Sequence, residues 1–457
     1  MPFTTSFFKL YKTPLLLALT SLLFYWSFAY DLHRTDYVKL ICLYTALFFL
    51  FYKIVQLYKH DIKILTWIAF GFRAIFILAI PNLSQDFHRF IWDGQMILEG
   101  FNPYLYTPES FITNGEFPVA QAEELYQGMG ELSAKHYTNY PPLNQLCFII
   151  ANLFSGQSIL SSVIGLRLII IAADFGTLHF GQKLLTKLKL PAYNIFWYIL
   201  NPFIIIELTG NLHFEGVMIF FLVWSLYLLH SGKWKLAAIV FACSVSIKLI
   251  PLLFLPLLYQ KLGWKRSLGF YTLVGLVTLL LFLPFYSSQF LTNYAETVGL
   301  WFHNFEFNGS IYYIAREVGY LFRGYNEIAI IGVSTALLVF GFVIGMSFFR
   351  KNTSLPQLIT AMLLCLSFYF FTATTVHPWY IATLLILSVF TNYKFPLVWS
   401  FVIILSYLAY LQIGKADKVE NLWIIGLEYL IVYGVFIWEI FIKEQNSLSL
   451  DFTEKNN

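Results

Sequence analysis

The stretch Ser84–Tyr104, SQDFHRFIWDGQMILEGFNPY, interrupts a chain that is greasy for most of its length. It carries Asp86 and Asp93 seven positions apart, a His88–Arg89 pair between them, and a Gly-Phe-Asn-Pro-Tyr turn behind them. Charged residues placed directly after an apolar run raise a question of sidedness. What they do depends on which face of a membrane they occupy.

Working outward, the chain has 457 residues, 58% of them hydrophobic and only 12% charged. Soluble domains are typically about 25% charged. Apolar runs of about 18 or more residues recur from end to end, long enough to cross a hydrocarbon core of roughly 30 Å. The expected fold class is therefore an all-α polytopic membrane protein. A β-barrel would show alternating segments of about ten residues instead. Cys42, Cys147, Cys243 and Cys365 lie in apolar runs, away from metal-type spacing, and read as packing residues. Lys9 and Lys12 precede an apolar run with no small-x-small cleavage site, which reads as a retained first helix.

The positive-inside rule puts the N-terminus inside. Helices expected at about 14–30, 38–58 and 62–80 then send the segment of about 82–158 outside. Connections that long are usually functional or separately folded. Its apolar stretches, about 84–98 and 141–155, are short enough to lie in the interface rather than cross it. Further crossings are expected at about 160–182, 192–209 and 212–230. The run 236–260 is expected to break at IKLIPLL, since Pro251 disfavours a continuous helix and a break keeps Lys261, Lys265 and Arg266 inside. Helices at about 268–286, 327–349, 356–374, 379–392, 396–412 and 420–442 bring the expectation to about 12–14 crossings in a single domain, 1–457. The polar-dense stretches then share the outer face: 82–158, TGNLHFEG, Lys248, about 287–326, and TATTVHPWY. Charges cut into membrane helices are costly and mark sites, so the site is expected on that face.

Asp86, close behind an apolar helix, is a candidate general base; its bland reading is a helix cap with Ser84. Asp93, beside Arg89, reads either as a second site acid or as the solvated face of an amphipathic helix. Asn102 and Tyr104 end the opening stretch, and Tyr140 precedes a second interfacial helix begun by Pro141 and Pro142. His213 and Glu215 sit at an outer helix end, where a polar substrate contact is favoured over a metal. Lys248 lies deep in an apolar run and needs an anion, either a protein carboxylate or a ligand phosphate. Asn308 and Arg316 follow in the second outer segment, with Arg323 posing the same choice as Arg316. His377, Trp379 and Tyr380 stand at the outer surface, the two aromatics matching an ordinary interfacial belt. Arg167 and Asp174, seven apart on one helix face, are expected to pair with each other. No P-loop, Gly-rich nucleotide loop or basic nucleic-acid patch is present in the sequence, so nucleic acid and soluble nucleotide donors are not expected partners.

The ordered set QDFHRFIWDG…EGFNPY, YPPL, NPFIIIELTGNLHFE, SIKLIPLLFLPLL, FNGSIYYIAR and VHPWY resembles the GT-C superfamily of integral-membrane glycosyltransferases. The likeness is greatest to polyprenol-phosphate-mannose-dependent mannosyltransferases, including bacterial α-mannosyltransferases, and covers about 82–392. The family's outer-loop aspartate falls on Asp86. Its Asp-x-Asp acid pair is absent, Ser84 standing at the earlier position, so no cofactor is expected; a divalent cation stays open as the alternative. The resemblance implies a GT-C-like bundle and an inverting transfer of a hexose, mannose first. The donor would be a polyprenyl-phosphate-linked sugar in the membrane lipid and the acceptor a glycan or glycolipid. It implies a bacterial inner membrane with the site facing the periplasm. Asp86 would take the acceptor proton, and Lys248, with Arg316 or His377, would steady the departing phosphate. The rivals are a lipid-linked oligosaccharide polymerase or ligase and a multi-pass transporter, whose ionisable groups would lie near the midplane.

Overall fold

The computed structural model describes residues 5–153, 155–156, 158–303, 305–408 and 420–443. Helices dominate these residues, and the one β-type pairing among them is an isolated bridge between Phe307 and Thr375. The all-α polytopic class is thus observed. The chain divides into two compact units, residues 1–300 and 301–457.

Unit 1 opens with α1 (Thr5–Tyr30), α2 (Tyr37–Tyr58) and α3 (Ile62–Ile75). Asp61 caps α3 by accepting from the Ile64 N–H at 3.0 Å. The long segment behind it folds into four short helices: α4 (Asp86–Leu98), α5 (Pro108–Thr113), α6 (Ala122–Lys135) and α7 (Pro142–Leu153). α4 and α7 match the two expected interfacial stretches. At 13 and 12 residues, each is about 20 Å long, short of the roughly 30 Å core. α8 (Ile159–Lys187) follows, then the short α9 (Phe196–Ile199) and α10 (Pro202–Ile204) and a π-helical turn, Ile205–Gly210. The expected crossing over 192–209 is therefore broken. Pro202 follows Asn201, whose side chain accepts from the Phe203 N–H at 2.9 Å and starts a new helix.

α11 (Glu215–His230) leaves that turn at 115° to Pro202–Gly210. α12 (Trp234–Ile247) ends at Lys248, whose backbone is extended, and 3₁₀ turns at Ile250–Phe254 and Pro256–Leu258 lead to α13 (Tyr259–Phe282). The break expected near Pro251 is present, and it falls on Lys248 itself. α14 (Ser288–His303) comes next. The second unit's helices are α15 (Ile311–Arg323), α16 (Ile328–Phe348), α17 (Leu355–Thr372), α18 (Ile381–Val389), α19 (Phe395–Val402) and α20 (Leu422–Ile437).

Among the described residues, seven helices are long and apolar enough to cross a membrane, or eight with the bent pair around residue 211. This is a multi-pass membrane protein. The expected 12–14 crossings included apolar stretches that turn out shorter: α3, Trp234–Ile247, Pro378–Val389 and Phe395–Leu408. The end of the helix expected over 396–412 lies outside the described residues.

Candidate functional site

Asp86 stands at the first position of α4. The N-cap is Gln85, and it is the Ser84 Oγ that accepts from the Asp86 N–H, at 3.3 Å. The Asp86 carboxylate is therefore not spent on capping. An aromatic knot fixes its position: Phe90, one turn along α4, stacks on Phe148 of α7 at 4.7 Å, and Phe214 meets both rings edge-on at 5.7 and 5.2 Å. Tyr140 closes the knot against Phe90 at 5.0 Å. Phe214 directly precedes Glu215, so these packed rings tie the helix carrying Asp86 to the turn carrying Glu215.

Glu215 is buried and holds the Lys248 ammonium at 2.5 Å. The break in the chain at Lys248 lets this cation turn toward a carboxylate 33 residues earlier. Lys248 thus has the protein anion it needs, and its ammonium keeps part of its surface open (side chain 21% exposed). Asp86 lies in the field of both. Burial pushes its carboxyl up to about 6, Lys248 opposes that rise, Glu215 adds to it, and Arg34 opposes it weakly. Asp86 itself is only part-buried. A raised carboxyl with an open side, next to a cation, can accept a proton near neutral pH. The Tyr140 hydroxyl feels the same charges and is held well above the ordinary phenol range, chiefly by burial.

Asp93 does not face solvent, which corrects the solvated-face reading. It is fully buried, accepting from Arg89 Nε at 2.6 Å and from Gln145 Nε2 at 3.1 Å. Arg89 also donates to the carbonyls of Ser133 and His136, at 2.6 and 2.8 Å. The pair knits α4 to α7 and to the C-terminal end of α6. Gly94 permits the close approach: a Cβ there would stand 2.6 Å from the Phe148 carbonyl oxygen.

Asn102 accepts from the Tyr104 N–H at 3.1 Å and donates to the Phe285 carbonyl at 3.0 Å. Buried Tyr104 donates to the Tyr140 carbonyl at 2.6 Å. These two residues brace the turn, and Asn102 also borders a cleft of about 460 Å³ lined by Ile97, Phe101, Leu143, Leu146, Leu281 and Phe285. His213 is buried with its Nε2 3.9 Å from Glu207 Oε2. Arg167 and Asp174 do not pair with each other. Asp174 takes Arg73 at 2.7 Å, and Arg167 donates to backbone carbonyls. Seven residues of helix separate them by about 10 Å along the axis, beyond the reach of a direct bond.

The remaining candidates lie in the second unit. Asn308, buried with φ 49°, takes Glu420 on its N–H at 3.0 Å and donates to Glu428 at 3.2 Å. Burial raises the Glu420 carboxyl to about 7. Arg316 is engaged by Glu306 at 2.8 Å and Glu317 at 3.0 Å, over the Tyr313 ring, and Arg323 has Glu327 at 3.6 Å. His377 stacks on Trp379 at 4.6 Å and on Phe307 at 5.1 Å, with Tyr380 edge-on at 5.4 Å. Arg73, Gln145, Glu420 and Glu428 went unnoticed in the sequence. Arg73 and Glu428, charges inside apolar runs, were detectable by the same rule that singled out Lys248. Among the described residues no group of three or more His, Cys, Asp or Glu could hold a metal ion.

A multi-pass helical protein with a carboxylate at the start of α4, a second acid at the start of α11 and an ammonium at the end of α12 brought together is the class of molecule these elements define. The chain belongs to the alpha-(1->6)-mannopyranosyltransferase family, whose N-terminal domain matches residues 22–262. It is similar to a probable Dol-P-Man:Man(5)GlcNAc(2)-PP-Dol alpha-1,3-mannosyltransferase of Dictyostelium discoideum, 33% identical over 102 residues, 21% of this chain and 23% of that one. It is also similar to alpha-(1->6)-mannopyranosyltransferase A of Corynebacterium glutamicum, 22% identical over 202 residues, 42% of this chain and 38% of that one. The match spans less than half the length of either curated relative.

Proposed function

We propose that the protein transfers mannose from a polyprenyl-phosphate-linked donor to a glycan or glycolipid acceptor, with inversion, at the extracytoplasmic face of a bacterial inner membrane. Asp86 is the base. It takes the proton from an acceptor hydroxyl as that oxygen bonds to the anomeric carbon and the bond from that carbon to the phosphate oxygen breaks. The polyprenyl phosphate leaves carrying the negative charge, and Lys248, already oriented by Glu215, stabilises it. One base and a good leaving group suffice for inversion, whereas retention needs a second carboxylate as nucleophile. Glu215 is committed to Lys248. The apolar cleft beside Asn102 suits part of an isoprenoid chain.

The observation that carries the reading is Asp86: uncapped, part-open, raised to about 6 and set beside Lys248. The family match and the Dol-P-Man named for one relative support mannose and a lipid-phosphate donor. The test compares lipid-linked and glycan products of membranes with and without the protein, supplied with polyprenyl-phosphate mannose. A mannosylated product that depends on the protein supports the reading. Identical products in both membranes would overturn it.

A further inference from the structure

Arg167 sits in the first third of α8, one of the candidate spans, and is fully buried. A guanidinium there is costly, yet among the described residues it forms no ion pair. Its donors go to carbonyls instead: Nε to Thr209 at 2.8 Å, Nη2 to Gly210 at 3.0 Å and Nη1 to Ile77 at 3.0 Å. Thr209 and Gly210 close the π-helical turn. Carbonyls at a helical C-terminus lack partners within the helix and carry its negative end, so a cation fits them.

Beyond Gly210 the chain swings through Asn211, Leu212 and His213 into α11. Leu212 has φ 64°, a strained value for a branched side chain that persists only where the surroundings hold it. The Asn211 side chain assists by accepting from the Leu83 N–H at 3.3 Å. Seven residues along α8 from Arg167, Asp174 faces the other arm of the bend. A Cβ at Gly216 would stand 3.7 Å from its Oδ1. One face of α8 therefore holds the first arm by hydrogen bonds and lies against the second, of which Glu215 is the first residue.

We propose that Arg167 is a positioning residue: by holding the carbonyls of Thr209 and Gly210, it sets the bend that brings Glu215 onto Lys248 beside Asp86. The catalytic part of this inference rests on the function proposed above; the positioning part does not. Both are tested with Arg167→Met, Arg167→Lys, Glu215→Gln and the double variant Arg167→Met/Glu215→Gln, each as full-length protein in nanodiscs. The first readout is acylation of Lys248 by an amine-selective reagent at one fixed pH, quantified by mass spectrometry. Parting Lys248 from Glu215 should leave the amine without its 2.5 Å carboxylate partner, raising its labelling about threefold or more in Arg167→Met, as in Glu215→Gln. The second is kcat/KM for polyprenyl-phosphate mannose. Arg167→Met should lower it tenfold or more, while the double variant falls within about threefold of Glu215→Gln alone, since both act through one pair. Arg167→Lys keeps the charge without the fork and should recover part of both; if Arg167→Met does not fold, Arg167→Lys carries both readouts with smaller changes. Lys248 labelling unchanged in the folded variants, or losses that multiply in the double variant, would overturn the positioning role. Wild-type protein that transfers no mannose would sink the functional reading while the labelling still decides the role of Arg167.

Discussion

Replacing Asp86 by asparagine separates the cost of the site from its use. Burial lifts the Asp86 carboxyl from 3.8 to about 6 in the folded protein. A folded value above the unfolded one means that the ionised carboxylate destabilises the fold. The penalty is absent below about pH 4, grows between about 4 and 6, and is fully present above. Two units correspond to roughly 3 kcal/mol at about 1.36 kcal/mol each. Solvent reaches one side of Asp86, which screens the charge and brings the expectation to ~1–2 kcal/mol. Asparagine matches the carboxylate in size, and no cap is lost, because Gln85 occupies that position. Asp86→Asn should therefore be more stable than the wild type at pH 7.5, by about 1–2 °C in Tm for a chain of this length, and inactive. The assay is thermal unfolding in detergent micelles, followed by tryptophan fluorescence at steps from pH 7.5 down to 4.5. The difference between the two proteins should shrink as the pH falls. An asparagine variant that is less stable at pH 7.5, or a difference independent of pH, would refute the desolvated-carboxylate argument.

Other outcomes follow from the same geometry. Wild-type kcat/KM should fall as pH drops through about 6, because only ionised Asp86 can accept a proton; a flat profile between pH 5 and 8 would exclude it as the base. Lys248→Met should weaken donor use and leave Glu215 buried without its cation, so both donor kinetics and Tm should drop; unchanged kinetics would show that Lys248 serves only the pair. Asp93→Asn should lower stability by about 3–5 kcal/mol, since it strands buried Arg89, and denaturant unfolding measures this directly. Cysteine labelling from outside should reach a cysteine placed at Gly115 and miss ones at Lys187, Lys265 and Lys351. The matching outer positions Asn304 and Asp417 lie outside the described residues.

Much of the site's local structure was legible in the sequence. The two short helices α4 and α7 could be read because their apolar runs are too short to span and are bounded by Ser84 and by Pro141–Pro142. The break near Pro251 was legible because proline cannot continue a helix. The burial of Asp93 was harder: Phe90, Ile91 and Trp92 precede it, and only tertiary packing decides which face of such a helix is covered. The Arg89–Asp93 spacing of four was nonetheless a usable sign of pairing. No local signal joins Glu215 to Lys248, which are 33 residues apart, or Arg73 to Asp174, which are 101 apart. Hydropathy over 62–80 or 192–209 does not register where a helix stops. α3 ends at Ile75, and Asn201–Pro202 restarts the chain.

The central claim is that Asp86 is the base of a lipid-donor mannosyl transfer, and one measurement bears on it most directly. Purified wild-type and Asp86→Asn proteins in liposomes are given polyprenyl-phosphate mannose and a mannoside acceptor, and both the new glycoside and the released polyprenyl phosphate are quantified. The account predicts stoichiometric transfer by the wild type. It predicts a loss on the order of a hundredfold or more for Asp86→Asn, with donor binding retained. An Asp86→Asn protein that transfers mannose at near the wild-type rate would contradict it.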